Sequence, residues 1–270
     1  MRGASRASLA EARDRHAAAL DGGADAGQLG DELFSVAVLL DGEPGLRRML
    51  SDPSRDARAK TGLVEALLGE KISAATLAQV TGLVSGHWSA PGELADAAEE
   101  LAVIAITAEA ENAAELDELE DELFRFGRVV NAEPDLRAAL SNPFIAADHK
   151  QQLLDALLAG KVTQSALRLI TQVAFHPRGR SLESSLADYA RLAAERRERL
   201  VAEVHVATEL SADQRDRLAA ALAAAYGHAV HLNVVLDPQV VGGMSVRIGD
   251  ELIDGSMASR LAELRRRLAA

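Results

Sequence analysis

Two stretches of 53 residues decide the fold of this chain. Residues 29–81 are LGDELFSVAVLLDGEPGLRRMLSDPSRDARAKTGLVEALLGEKISAATLAQVT, and residues 119–171 are LEDELFRFGRVVNAEPDLRAALSNPFIAADHKQQLLDALLAGKVTQSALRLIT. They align at an offset of 90 residues without a gap, and 21 of the 53 positions are identical. Composition alone would give roughly five identities, so an internal duplication organises the chain.

Each copy has the apolar spacing of a helical bundle. The first helix carries a stripe at intervals of three and four residues, formed by Leu29, Leu33, Val36 and Leu40 in copy one and by Leu119, Leu123, Phe126 and Val130 in copy two. Prolines and a lysine recur at matched positions, which are Pro44, Pro53 and Lys60 in copy one and Pro134, Pro143 and Lys150 in copy two. Proline stops one helix or opens the next at its first turn, and each lysine leads a further helix. The pattern predicts a bundle of at least four helices in each copy.

The connection between the copies also predicts helix. Residues 93–130 contain no proline and no double glycine, which favours one long helix with a single break near Asn112. Within it, Glu109–Glu122 holds eight acidic residues and no basic one. Such a run is typical of a solvated helix face, and the alternative is a docking surface for a basic partner.

After Arg199 the pattern changes from helical to alternating. It predicts a strand over 200–208, a helix opened by the capping box Ser211 to Gln214, a second strand over 229–236, a hairpin, and a final helix. The predicted fold is therefore mainly α: two tandem helical-bundle modules, 1–110 and 111–200, followed by a small α+β domain, 201–270.

Composition excludes several function classes. The chain has no cysteine, so disulfides and thiolate metal sites are impossible. No stretch approaches 18 uncharged apolar residues and the N-terminal residues lack an apolar signal core, which predicts neither a membrane span nor export. The net charge of −12 argues against nucleic acid as a partner. Residues 1–175 hold 16 basic and 28 acidic side chains, whereas 176–270 hold 13 of each, and this difference suggests two kinds of partner.

Candidate catalytic and metal-binding groups do not form a recognisable site. Gly242 and Gly243 lack the lysine and helix start of a phosphate loop. Asp237, Asp250 and Asp254 lack calcium-loop spacing and fit turn or cap positions. No nucleophile is paired with a base, so the sequence predicts no metal, no cofactor and no enzymatic activity.

The C-terminal segment carries a specific resemblance. Asp237-Pro238, Gly242-Gly243, Gly249-Asp250, Asp254 with Ser256, and then Leu261 and Leu264 follow one another at the spacing of a known signature. This segment resembles the C-terminal domain of the ATP synthase delta family, whose mitochondrial relative is the oligomycin-sensitivity-conferring protein. Residues 119–270 match the usual architecture of that family, and 1–110 resembles an additional copy of its helical bundle. The chain departs from the family by its greater length and by Ser8-Leu9-Ala10-Glu11-Ala12, which replaces a tyrosine-containing opening.

The resemblance implies a mechanical function. In such synthases the helical module takes up N-terminal helices of the alpha subunits in the catalytic head, and the C-terminal domain grips the b-subunit stalk. The chain would then be a stator subunit without cofactors, peripheral on the cytoplasmic face of the bacterial membrane. Because both copies keep the bundle pattern, we expect each to hold its own groove for an alpha helix. The alternative is a soluble helical-repeat adaptor or regulator outside the synthase, with an enzyme as the third possibility.

Overall fold

A computed structural model describes residues 3–142, 144–197, 200–208, 210–226, 230–237, 240, 243–248 and 251–254. The chain forms two compact units, Met1–Arg196 and Arg197–Ala270. The first is helical and the second combines a sheet with a helix, which confirms the predicted fold class.

The first unit contains eleven helices within its described residues. They are α1 (Gly3–Asp21), α2 (Ala26–Gly42), α3 (Pro44–Ser51), α4 (Ala57–Leu68), α5 (Ala74–Ser85), α6 (Pro91–Asn112), α7 (Leu116–Ala132), α8 (Pro134–Ser141), α9 (Ala147–Leu158), α10 (Gln164–Phe175) and α11 (Leu182–Arg197). Pro44 and Pro134 occupy the first helical position of α3 and α8, as predicted. The predicted long helix breaks after Asn112, where Ala114 adopts a φ of 58° and α7 begins.

Helix α6 belongs to both copies of the duplication. At the offset of 90 residues, α1 corresponds to α6, α2 to α7, and so on until α6 corresponds to α11. In the structure α6 contacts α1, α2, α3 and α5 of copy one, and α7 and α10 of copy two. One continuous apolar core runs from Ala12 to Ala193. The two copies are therefore joined through a shared helix, and the predicted boundary between 110 and 111 remains a prediction.

The second unit is built on a four-stranded sheet. Its elements are β1 (Leu200–Val206), α12 (Ala212–Tyr226), β2 (Val230–Leu236), β3 (Met244–Ile248) and β4 (Glu251–Asp254). The strand order is β2-β1-β3-β4, with β1 and β2 parallel and the other pairs antiparallel. Val204, Val206, Val246 and Leu222 form its core. The strand, helix, strand and hairpin follow the predicted order, whereas the predicted final helix lies outside the described residues.

The capping box predicted for α12 is present. The Ser211 backbone N–H donates to Gln214 Oε1 at 2.8 Å, and the Gln214 N–H donates to Ser211 Oγ at 3.3 Å. Reciprocal bonds of this kind satisfy two amides that the first turn of a helix leaves open. None of the helices in the described part of the chain combines the length and apolar composition that crossing a bilayer requires.

Candidate protein-docking site

The equivalent helices α2 and α7 each supply a carboxylate that caps a distant helix of the same copy. Glu32 accepts bonds from the Ser73 N–H and hydroxyl at 2.9 and 2.7 Å, at the start of α5. Glu122 accepts the equivalent bonds from Thr163 at the start of α10. Burial opposes ionisation of Glu32, but hydrogen bonds from Thr76, Ser73 and Gln28 lower its pKa below the ordinary value. The carboxylate thus fixes α2 against α5, as Glu122 fixes α7 against α10.

The two repeat lysines are buried, which the sequence did not indicate. Lys60 and Lys150 lie in the first turn of α4 and α9 with 4% and 8% of their surface exposed. Burial lowers the pKa of both amines, and the Asp52 carboxylate partly offsets this at Lys60. Lys150 Nζ donates to the Ala174 carbonyl oxygen, at 3.4 Å, near the end of α10. Lys150 thus connects α9 to α10, and the burial of both lysines means that they do not form a surface site.

Glu99 of α6 is the centre of a buried polar cluster that joins copy two to the shared helix. It contacts the guanidinium groups of Arg178 and Arg180, and Tyr189 Oη donates to it at 2.5 Å. Burial and the Glu99 charge raise the pKa of Tyr189 well above its ordinary value. Burial opposes the charge of Arg180, but Glu99 outweighs it and raises the pKa of that arginine. Buried charges persist in proteins when they are paired in this way.

Copy two also holds α2 at both of its ends. Near the start of α10, Arg168 donates to the Gly27 carbonyl oxygen at 2.9 Å and pairs with Asp31 at 2.5 Å. Beyond the end of α10, Arg178 Nε lies 3.5 Å from Asp41 Oδ1. The first turns of α2 therefore lie beside Arg168 of α10, and its last turn lies beside Arg178 in the loop that follows α10.

Glycines allow α2 to approach α6 closely. A Cβ at Gly30 would lie 2.5 Å from Ile106 Cδ1 and 3.3 Å from the Ala102 carbonyl oxygen. A Cβ at Gly27 would lie 2.5 Å from Glu109 Oε1. Glycine is the residue that permits this distance between two helix backbones.

An open groove lies between α1 and α5 of copy one and encloses about 380 Å³. Most of its walls are small side chains or glycine, and the residues that line it are Ala4, Ala7, Ser8, Glu11, Arg15, Gly82, Ser85, Gly86 and His87. Ala4, Ala7, Glu11 and Ser85 are exposed. Small residues let a further helix approach the backbone closely, so the groove has the form of a helix-docking surface.

The predicted signature of the C-terminal unit is described only in part. The Val240 N–H donates to the Asp237 carbonyl oxygen at 3.1 Å, so Asp237 begins a turn, and its own N–H donates to Val206. Gly243 has a φ of 82°, a left-handed conformation that favours glycine. Asp254 ends β4. The remaining signature positions, Pro238, Gly249, Asp250, Ser256, Leu261 and Leu264, and Pro143 of the repeat lie outside the described residues.

Sequence reasoning missed the side chains that join the copies. The capping carboxylates Glu32 and Glu122 act within one copy, and their identity in the repeat alignment was a signal of their role. Glu99, Arg168, Arg178 and Arg180 are not identical between copies, because each serves the junction and not the module. The acidic run is partly used internally as well. Glu109 pairs with Arg168, Glu111 with Arg196, and Glu122 caps α10.

Comparison with known proteins defines the class to which this fold belongs. The family model for the ATP synthase delta (OSCP) subunit matches residues 101–268. The chain is 48% identical over 269 residues to the ATP synthase subunit delta of Thermobifida fusca, with full coverage of both chains. It is 49% identical to the corresponding subunit of Streptomyces avermitilis, covering 99% of this chain and 98% of that protein. The chain belongs to the ATP synthase delta (OSCP) family, as the C-terminal resemblance predicted.

Proposed function

We propose that this chain is a non-catalytic stator subunit in the peripheral stalk of an F-type proton-translocating ATP synthase. The observation that carries the proposal is its similarity to delta subunits along its entire length. A stator must resist torque, and the helical unit suits that role because its eleven described helices share one core. A continuous close-packed interior transmits strain with little deformation.

The helical unit is the part that binds the catalytic head. The groove between α1 and α5 accommodates an amphipathic helix, and its small walls favour close backbone approach. We assign this groove to an N-terminal helix of an alpha subunit. The side chains of Glu11 and Arg15 line the same groove and offer both charges to such a helix.

The C-terminal unit is the part that binds the C-terminal region of the b-subunit. It carries the family signature, and its charge is balanced where the helical unit is acidic. The chain would then be held at the cytoplasmic face of the bacterial membrane through the synthase complex and not by insertion of its own.

Affinity purification of the tagged full-length chain from its own cells tests this assignment. We expect alpha, beta and b subunits of the synthase to co-purify. Ala7→Arg, which places a long charged side chain in the α1/α5 groove, should lose the alpha contact and keep the b-subunit. Gly243→Val, which a left-handed backbone cannot accommodate without strain, should weaken the b-subunit contact and keep alpha. Capture of neither subunit would contradict the stator role and favour an adaptor outside the synthase.

A further inference from the structure

We infer that each chain takes up a single external helix, in copy one, because α2 already occupies the equivalent position of copy two. This inference rests on the proposed function of the α1/α5 groove. It replaces the expectation from the sequence that each copy holds an open groove of its own.

The duplication shows where a second groove would lie. At the offset of 90 residues, the pair α1 and α5 corresponds to α6 and α10. The α1 positions that line the open groove correspond to Leu94, Ala97, Ala98, Leu101 and Ala105 of α6, and each of these is 0% exposed. Leu94 faces the interior of copy one, where it lines a small apolar cavity with Leu40 and Leu83. The α6 wall of copy two is therefore already covered.

Helix α2 packs on α6 and meets α10 at the side chain of Arg168. It packs on α6 through Gly27 and Gly30, and copy two pairs with its acidic residues through Arg168 and Arg178. Burial lowers the pKa of His176 at the end of α10, and the nearby carboxylates of Asp41 and Glu99 oppose that shift. These contacts lie near the start of α10 and just beyond its end.

The aromatic residue of α2 completes this joint. Phe34 is 6% exposed, and its ring centroid lies 6.4 Å from that of Tyr189 in α11. Its counterpart in copy two, Phe124, is the same residue type but is 61% exposed. The same residue type is thus buried against α11 in copy one and exposed in copy two.

The joint also indicates the chemistry of the external helix. Helix α2 presents glycine and alanine where it meets α6, and acidic side chains where it meets the arginines of copy two. Copy one offers a related surface, with Arg15 close to Gly82 across the open groove. The expected ligand is an amphipathic helix with a small-residue stripe and an acidic residue beside it.

Titration calorimetry with a synthetic peptide of the N-terminal helix of the alpha subunit from the same organism tests the stoichiometry. We expect one peptide per full-length chain. Ala7→Arg and Ser85→Arg, on opposite walls, should each weaken binding at least tenfold. Ala10→Arg, on the same helix as Ala7 but outside the groove, should change the dissociation constant less than twofold.

The outcomes separate this inference from the assignment on which it rests. The single-groove inference would be wrong if two peptides bound per chain. It would also be wrong if Ala7→Arg and Ser85→Arg each kept one site of unchanged affinity. Either result would leave the alpha contact itself intact. Absence of peptide binding to the wild-type chain would contradict the alpha contact itself, and the inference with it. Thermal melting of each variant verifies that it is folded.

Discussion

The two copies of the helical module have the same plan but different surroundings. A carboxylate of α2 caps α5 in copy one and a carboxylate of α7 caps α10 in copy two, and both copies bury a lysine at the same position. They differ where they meet. Copy one contributes Gly27, Gly30 and Phe34 to the joint, whereas the corresponding positions of copy two hold Asp117, Glu120 and the exposed Phe124. Duplication preserved the interior of the module, while the surface of each copy adapted to its neighbours.

Equivalent positions of the two copies even contact each other directly. Glu99 and Tyr189 are 90 residues apart and therefore occupy the same position in successive modules, yet the tyrosine hydroxyl donates to the carboxylate. Trp88 and Arg178 are likewise equivalent. Trp88 is buried and donates to the Leu83 carbonyl oxygen within copy one, whereas Arg178 reaches across to α6. The loop before the last helix thus closes the module in one copy and joins the modules in the other.

The largest effect is expected from Glu99→Ala. The change leaves Arg178, Arg180 and Tyr189 without their shared acceptor in a buried site. Removing one partner of a buried pair costs about 3–5 kcal/mol, so the free energy of unfolding of the helical unit should fall by that amount. The adjacent Glu100→Ala is the control, because its partner Arg13 is about one third exposed. That control should lower the free energy of unfolding by less than about 1 kcal/mol in urea denaturation. Equal losses in the two variants would contradict a special contribution of the Glu99 cluster to stability.

A matched pair of glycine substitutions separates the joint from an open helix face. Gly30→Ala forces a methyl group against Ile106 and the Ala102 carbonyl, and overpacking of this kind costs about 1–3 kcal/mol. Gly62→Ala in α4 meets no atom within 4 Å, and should stabilise the helix by about 0.5–1 kcal/mol. Both are read from the denaturation midpoint. Stabilisation by Gly30→Ala would show that α2 does not approach α6 closely.

The smallest effect concerns the capping carboxylates, and it depends on pH. Glu32→Gln should cost about 1–2 kcal/mol at pH 7, because hydrogen bonds to a charged acceptor are lost. The folded pKa of Glu32 lies below its ordinary value of 4.5, so its stabilisation is present above that pH and is lost as the pH falls through the folded pKa. The difference between wild type and variant should therefore shrink below about pH 4.5.

Glu122→Gln serves as the counterpart in copy two, where, among the residues that the structure describes, the carboxylate accepts bonds from Thr163 alone. Glu32 also accepts a bond from Thr76 Oγ1 at 2.5 Å, so the change in copy one should cost more at pH 7. Equal and pH-independent costs would contradict the capping account.

The sequence predicted the modules well and their junction poorly, for a physical reason. Apolar periodicity, prolines and the N-caps Ser73 and Thr163 act within a few residues, so they identified the helices from local pattern alone. To predict that the two copies share α6, one would have to know that this helix is buried on nearly all of its faces. No local sequence pattern specifies which partner helix covers each face. The residues of a long-range pair such as Arg168 and Asp31 lie 137 residues apart, so no sequence spacing indicates that they are in contact.

Hydrogen exchange measured on the free chain and on the chain bound to the catalytic head tests whether an external helix binds between α1 and α5 and not between α6 and α10. We expect the backbone amides of α1 and α5 to exchange more slowly when the head is bound. The amides of α2, α6 and α10 should exchange at the same rate in both states. Slow exchange in α2 of the free chain would reflect its place between the two copies. New protection in α10, or displacement of α2 with loss of its protection, would contradict the conclusion that the α6/α10 position of copy two is already covered.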